Sequence, residues 1–206
     1  MGKNIVLASA SPRRYELLKQ LKLDFEVIPS SFVEEFDENF TPSELAIEFA
    51  KNKALEVSNR LDKKNKIKDG IVIGADTVVV LDEEILGKPD NKKEAKQMLQ
   101  NLNGNKHEVI TGLSLVSVYN DEVITDYCET TVWFRDLTEN EIERYLSREE
   151  WSDKAGAYGI QGFGALLVKK IHGCYFNVVG LPLSKLAKSL EHFDIKIKGF
   201  DFKVEI

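Results

Sequence analysis

The stretch that most constrains the fold lies near the start of the chain, where a buried-type strand runs into a helix start. The apolar run Ile5-Val6-Leu7-Ala8 gives way to two serines, and Pro12 follows at the expected first helical position. Arg13 and Arg14 then fall in the first turn, where the helix dipole disfavours cations by about 0.3–1 kcal/mol each. Free backbone N–H groups beside two arginines predict an anion site, with a phosphate chain as the usual ligand; the alternative is a pair of solvated arginines.

Composition limits the classes of protein that fit. With 206 residues, 43% hydrophobic and 30% charged, the chain is expected to form one large domain or two tightly joined lobes. A formal net charge of -6 argues against a nucleic-acid or membrane surface, so anion binding must be local. Cys128 and Cys174 make no disulfide framework, and no apolar stretch approaches the ~20 residues of a membrane span. No leader pattern precedes the first strand, so we expect a cytoplasmic protein.

The order of the expected elements indicates an α/β fold with a mixed sheet and flanking helices. Strands and helices alternate first, and hairpins dominate later. Capping boxes at Thr41 and Thr138 mark two helix starts. Residues 165–171 and 174–179 are expected to form a hairpin, with a last helix starting at Pro182.

A segment without periodicity, residues 153–164, contains four glycines within nine residues. We expect a loop in which the backbone approaches another group closely. The segment lacks Gly-Lys-Ser/Thr, which excludes a Walker P-loop, and it neither follows a strand nor opens a helix as a dinucleotide fingerprint would.

Asp76 is the sharpest single candidate for chemistry. It is expected to end the apolar run 71–75, with the strand interrupted at Asp76-Thr77 and resumed at residues 78–81. A carboxylate there is costly if buried alone, and ligands of α/β proteins bind beyond such strand ends. Its role would be metal ligand or general base; the alternative is an aspartate in a hairpin turn. Glu34-Glu35 could supply further carboxylates to a divalent cation. Lys53 and Lys88 are candidate phosphate partners, although lone lysines are more often surface residues.

Taken together, an ordered set of motifs resembles the Maf family, the septum-formation-inhibitor proteins that act as nucleoside triphosphate pyrophosphatases. The resemblance runs from about residue 5 to residue 193. The motifs are Leu7-Ala8-Ser9-x-Ser11-Pro12-Arg13-Arg14, Val33-Glu34-Glu35, Lys53-Ala54, Gly74-Ala75-Asp76-Thr77-Val78, Gly87-Lys88-Pro89, His107-x-Val109-x-Thr111-Gly112, residues 153–162 and Asn177-Val178-Val179-Gly180-Leu181-Pro182.

The resemblance implies one domain over residues 1–206, elongated, with a cleft between two lobes as in inosine-triphosphate pyrophosphatases, and often a homodimer. It implies house-cleaning hydrolysis of a nucleoside triphosphate to its monophosphate and pyrophosphate, with no nucleic-acid or membrane partner. A second hypothesis is a nucleotide-binding regulator of septum formation that does not need turnover.

Site residues follow from the resemblance motif by motif. Asp76 matches the family's proton acceptor, and a further group matches positions tied to substrate choice: Arg13, Thr77 and Gln161. Other cleft residues are matched by Ser9, Arg14, Lys53 and Lys88. Glu35 matches the metal-side carboxylate, with Glu34 as the alternative, so that Glu35 and Asp76 would hold a Mg²⁺- or Mn²⁺-type ion.

The glycine-rich segment separates the family's subgroups. Residues 157–162 resemble the dTTP/UTP subgroup, whereas the 7-methyl-GTP subgroup tends to carry Glu at the position of Gln161. Thymine and uracil offer an O4 acceptor beside an N3–H donor, which a Gln amide can pair with at both ends. Adjacent N–H donors of guanine would suit a carboxylate instead.

Overall fold

The computed structural model describes residues 3–36, 39–63 and 69–200, with only the backbone of residues 62 and 63. These residues group into two compact units. Unit 1 comprises Met1–Asp76, Thr111–Cys128 and Gly180–Ile206, and unit 2 comprises Thr77–Ile110 and Glu129–Val179. The expected cleft between two lobes stays a prediction.

The sheet is mixed, which confirms the expected fold class. Its strands are β1 Asn4–Leu7, β2 Glu26–Val27, β3 Gly70–Leu81, β4 Glu84–Leu86, β5 Lys106–Ser117, β6 Val123–Phe134 and β7 Val168–His172. The strand order is β2-β1-β3-β5-β6-β7, with β4 paired to β3. β1 runs parallel to β2 and β3, whereas β4 runs antiparallel to β3 and β7 runs antiparallel to β6.

Six helices accompany the sheet in the described part of the chain. They are α1 Pro12–Gln20, α2 Pro42–Lys63, α3 Lys92–Leu102, α4 Glu139–Leu146, α5 Tyr175–Val179 and α6 Leu183–His192. The expected starts of α1, α2 and α4 are confirmed, since Ser11 caps α1 and Thr138 forms a complete capping box with Glu141. None of the helices described is long and apolar enough to cross a bilayer.

Two expectations about strands were wrong. Strand β3 is not interrupted at Asp76 and Thr77 but runs without a break to Leu81, because the Asp76 carboxylate is paired with a lysine and the strand can carry it. Residues 175–179 form α5 and not the second strand of a hairpin. There Asn177 is buried and donates its amide to the Val109 carbonyl at 2.8 Å and to Thr130 Oγ1 at 2.9 Å, which are partners distant in sequence.

Helix α2 lies directly against the sheet of unit 1. A Cβ on Gly74 of β3 would stand 2.1 Å from the Ala50 carbonyl oxygen, and one on Gly112 of β5 would stand 2.1 Å from that of Ala46. Only residues without a side chain permit so close an approach, which explains why glycine interrupts these apolar strands. The contact fixes the height of α2 above β3.

Unit 2 has its own hydrophobic core, in which helices α3 and α4 pack with strand residues. Leu99, Phe134, Ile142 and Leu146 are among its buried members. The core also takes in Tyr158, which belongs to the glycine-rich segment. One short 3-10 turn, Ala155–Ala157, lies within that segment, and a second, Gly162–Leu166, begins in it.

Candidate functional site

The junction between β1 and α1 forms a tight polar turn around two serines. The Ser11 hydroxyl caps α1 by accepting from the Arg14 backbone N–H at 3.5 Å. Ser9, buried, accepts from the Ser11 backbone N–H at 3.2 Å. Serine hydroxyls thus accept from two of the backbone N–H groups at this junction, and the anion site expected here stays a prediction.

The Arg14 side chain is held by two hydrogen-bond acceptors, one of them in this turn. Its Nε donates to the Gly180 carbonyl at 2.8 Å, and its Nη1 donates to Ser9 Oγ at 3.4 Å. Burial lowers the pKa of the Arg14 guanidinium, the Asp76 carboxylate opposes this, the Arg13 charge adds to it, and the Glu34 carboxylate opposes it. An arginine still remains protonated, so the start of α1 holds a preset positive charge.

Lys53 joins two carboxylates beside this turn. Its Nζ lies 2.5 Å from Asp76 Oδ1 and 2.6 Å from Glu34 Oε1. The side chains of Lys53 and Asp76 are only 13% and 9% exposed, and that of Glu34 is 31% exposed. The desolvated ammonium therefore stabilises two carboxylates that would otherwise repel each other.

Sequence reasoning gave no role to Gly74 and Ala50, whose close contact brings Lys53 and Asp76 together. Because β3 and α2 touch at Gly74, Lys53, three residues after Ala50, reaches Asp76, two residues after Gly74. The available signal was a glycine inside an otherwise apolar strand, which indicates close approach of another backbone.

The two neighbouring glutamates of the acidic loop occupy different places. Glu34 contacts Lys53, whereas Glu35 is exposed and lines a depression with Phe32, Phe36 and Glu48. In an irregular loop no periodicity tells which of two adjacent side chains faces a site. A metal role for Glu35 stays a prediction, and the geometry favours the alternative, Glu34.

The remaining predicted site residues belong to unit 2. Thr77 is partly buried in β3, Lys88 is exposed after β4, and Gln161 is exposed between the two 3-10 turns. The structure therefore gathers Ser9, Arg14, Lys53 and Asp76 with Glu34 in unit 1, with Arg13 adjacent. Substrate-binding roles for Thr77, Lys88 and Gln161 stay predictions.

Close backbone approach, expected for the glycine-rich segment, occurs within the segment itself. A Cβ on Gly164 would stand 1.7 Å from the Gly159 carbonyl oxygen, so the two ends of the loop around Gln161 touch. Gly162 has a φ of 60°, a left-handed conformation that glycine adopts without strain. The Gly156 N–H donates to the Gly87 carbonyl at 3.0 Å, which joins the segment to the loop that carries Lys88.

The charged cluster of unit 1, formed by Arg14, Glu34, Lys53 and Asp76, offers the kind of ligand that a hard divalent cation prefers. Asp76 and Glu34 offer carboxylate oxygens, and Mg²⁺ in enzymes often takes one or two carboxylates together with substrate phosphates and water. Across residues 3–36, 39–63 and 69–200, no group of three His, Cys, Asp or Glu side chains could hold a metal by itself. The residues present fit a cation whose remaining ligands come from a bound phosphate and water.

Known proteins match this chain over nearly its whole length. A family model described as Maf-like protein matches residues 4–193. The dTTP/UTP pyrophosphatase of Thermoanaerobacter sp. (strain X514) is 49% identical over 200 residues, which cover 97% of this chain and 98% of that protein. The protein of the same name from Clostridioides difficile (strain 630) is 47% identical over 190 residues, covering 92% of this chain and 95% of its own length.

A solved structure of the Staphylococcus aureus Ham1 protein is a more distant match, with 19% identity and a TM-score of 0.40, covering 65% of this chain and 73% of that one. The family model spans both the charged cluster and the glycine-rich segment. This chain belongs to the Maf family.

Proposed function

We propose that this protein hydrolyses dTTP and UTP to the nucleoside monophosphate and pyrophosphate. The observation that carries the proposal is the desolvated cluster of Arg14, Lys53, Asp76 and Glu34 in a Maf family chain. Relatives at 47–49% identity that bear the name dTTP/UTP pyrophosphatase support the substrate class.

In the proposed reaction, the oxygen of a water molecule forms a bond to the α-phosphorus. The bond from that phosphorus to the bridging oxygen breaks, and pyrophosphate leaves with the electron pair. The Asp76 carboxylate takes the proton of the attacking water as general base. Arg13 and Arg14 bind the anionic phosphate chain at the start of α1 and stabilise the charge that develops on the leaving group.

A Mg²⁺ or Mn²⁺ ion would be held by Asp76 together with Glu34, or with Glu35 as the sequence motif suggests. When bound, such an ion polarises phosphate oxygens and lowers the pKa of a coordinated water. Lys53 orients both Asp76 and Glu34, since one ammonium donates to each of them. This arrangement keeps the carboxylates in place before substrate arrives.

Gln161 is proposed to read the base. Its amide can donate to O4 and accept from N3–H of thymine or uracil at the same time. Lys88 and Thr77 are proposed as further substrate contacts of unit 2. A homodimer in the cytoplasm completes the proposal, to be checked by light scattering and by cell fractionation.

The direct test is release of pyrophosphate from dTTP and UTP by the purified full chain at substoichiometric amounts, with GTP and 7-methyl-GTP as comparisons. Fast turnover of the two pyrimidine nucleotides is expected. Tight binding without pyrophosphate release would support a nucleotide-binding regulator instead. Preference for 7-methyl-GTP would overturn the subgroup assignment.

Base choice is tested by Gln161→Glu, with Gln97→Glu as the matched control. Gln97 is an exposed residue of α3 in the same unit, so the control makes the same change of charge at a position outside the proposed site. A carboxylate facing O4 should lower kcat/KM for UTP roughly 10- to 100-fold, because a repelled or unpaired polar group costs about 1–3 kcal/mol. Unchanged ratios between UTP, CTP and GTP would remove Gln161 from base recognition.

A further inference from the structure

The glycine-rich segment is anchored in unit 2 by one tyrosine. Tyr158 lies three residues before Gln161 and is 5% exposed, in contrast to the exposed Gln161. Its hydroxyl lies 2.6 Å from His107 Nε2, a residue of β5 that is 3% exposed and 51 positions away in sequence. A buried, hydrogen-bonded residue, Tyr158, thus precedes the exposed Gln161 by only three positions.

The Tyr158 ring also packs against two other aromatic rings. The rings of His107, Phe134 and Tyr158 contact one another pairwise in edge-to-face geometry, with centroids 4.7–5.3 Å apart and interplanar angles of 83–86°. His107 comes from β5 and Phe134 from β6, so two strands hold the ring. Aromatic pairs of this geometry have a preferred orientation, which restricts rotation of the tyrosine.

The hydrogen bond between Tyr158 and His107 joins two neutral groups. Burial lowers the pKa of His107 to about 4 and raises the pKa of Tyr158. His107 Nδ1 is buried without a hydrogen-bond partner, so the ring has Tyr158 as its polar contact. The bond therefore persists across the neutral pH range in which the enzyme would work.

The anchor reaches Gln161 through a very short connection. Gly159 follows Tyr158 directly, and the contact between Gly159 and Gly164 closes the loop around Gln161. A displacement of Tyr158 would shift the base of this loop and with it the direction of the Gln161 amide. Such a change of direction would weaken recognition of the base, because hydrogen bonds to a base edge require a defined length and angle.

We propose that Tyr158, held by His107, is a positioning residue that sets base selectivity by orienting Gln161. The proposal rests on the proposed function, in which Gln161 reads the base. Neither Tyr158 nor His107 touches substrate in this proposal. Their effect appears in the discrimination between nucleotides and much less in the rate of the chemical step.

The test compares UTP with CTP, which share sugar and phosphates and differ at the pyrimidine edge that Gln161 would read. Tyr158→Phe keeps the ring and removes only the hydroxyl. We expect the ratio of kcat/KM for UTP over CTP to fall about 5- to 10-fold, mainly through KM for UTP, with kcat nearly unchanged. Tyr175→Phe is the control, because it removes a tyrosine hydroxyl from exposed Tyr175 of α5, which lies in the same unit but outside the glycine-rich segment.

A double-mutant cycle separates positioning from general loosening of the fold. In a Gln161→Ala background, Tyr158→Phe should leave the UTP over CTP ratio within about twofold, since the reader it orients is absent. His107→Gln supplies a second variant should Tyr158→Phe fold poorly, and it is expected to lower the ratio less than His107→Phe, because a Gln amide can still bond the tyrosine.

The outcomes distinguish this inference from the function on which it rests. If Gln161→Ala changes the ratio while Tyr158→Phe and His107→Phe leave it unchanged, the positioning role is wrong and the proposed base reader stands. An equal effect of Tyr158→Phe with and without Gln161 also overturns the positioning role. If the wild-type chain releases no pyrophosphate from any nucleotide, the proposed function itself fails.

Discussion

The charged cluster of unit 1 and the glycine-rich segment of unit 2 are held in place by different forces. In the cluster, ionic groups contact one another directly, with Lys53 2.5 Å from Asp76 and 2.6 Å from Glu34. In the glycine-rich segment, the residue proposed to meet the base is exposed, and its anchor is a neutral hydrogen bond between Tyr158 and His107.

Because of this difference, we expect the two regions to tolerate single substitutions to different degrees. Removing one member of a desolvated ion cluster leaves another charge uncompensated, so substitutions there should affect rate and stability strongly. Weakening a neutral bond behind a loop costs less and changes geometry by small amounts. Phosphate chemistry is thus expected to be sensitive to single substitutions, whereas base preference can be altered by modest ones.

The largest effect is expected for Asp76→Asn. Loss of the general base should lower kcat for dTTP at least ~10²-fold while the protein stays folded and binds nucleotide. Steady-state pyrophosphate release, with circular dichroism as the check on folding, measures it. Asp82→Asn is the control, because Asp82 sits in the exposed turn after β3 at a φ of 49°, a conformation that Asn tolerates. A folded Asp76→Asn enzyme with wild-type activity would contradict the mechanism.

Lys53→Met tests whether the charged cluster needs the lysine ammonium for stability. Two mostly buried carboxylates would then face each other, and the free energy of unfolding should fall by about 3 kcal/mol in urea titrations. Lys51→Met provides the comparison, because the Lys51–Glu48 pair is more exposed, at 38% and 33%, and such pairs contribute about 0–1 kcal/mol. Equal losses in both variants would mean that the cluster is no more than a surface ion pair.

We expect Arg14 to contribute to both stability and catalysis, and Arg13 to contribute to catalysis alone. Arg14→Ala removes the contacts with Gly180 and Ser9, so we expect kcat/KM to fall about 10- to 100-fold together with a lower Tm. Arg13→Ala should lower kcat/KM with an unchanged or slightly higher Tm, since it removes a cation from a helix start. A large loss of Tm in Arg13→Ala with normal kinetics would assign Arg13 to structure.

The smallest effect is a pH dependence of stability that comes from unit 2. Burial lowers the pKa of His107 from 6.5 to about 4, so the unfolded chain binds this proton more readily than the folded protein. The contribution of His107 to stability is therefore complete above pH 6.5 and is lost as pH falls toward 4, by about 2 kcal/mol at pH 5. Urea titrations between pH 7 and pH 5 should show a shallower decline in His107→Gln. The exposed His192 supplies the control variant His192→Gln, and equal slopes in wild type and His107→Gln would contradict the prediction.

Local features of the sequence determined the starts of helices and the class of the sheet. Ser11 before Pro12 and Thr138 before Glu141 form hydrogen bonds within three residues, so the pattern and the contact are read from the same few positions. The same locality explains why Asp76 and the two arginines could be recognised as candidates. Their residue types and neighbours were sufficient.

Tertiary structure alone decided which side chains meet. Lys53 lies 23 positions from Asp76 and 19 from Glu34, and their contact depends on the approach of α2 to Gly74. The glycine signals that another backbone comes close, but no local pattern says which one. Which of Glu34 and Glu35 contacts Lys53 depended on how an irregular loop faces α2. The helix at residues 175–179 likewise depended on the distant partners of Asn177. Sequence specifies hydrogen bonds that close within a turn, whereas contacts across many residues arise only when packed elements bring their side chains together.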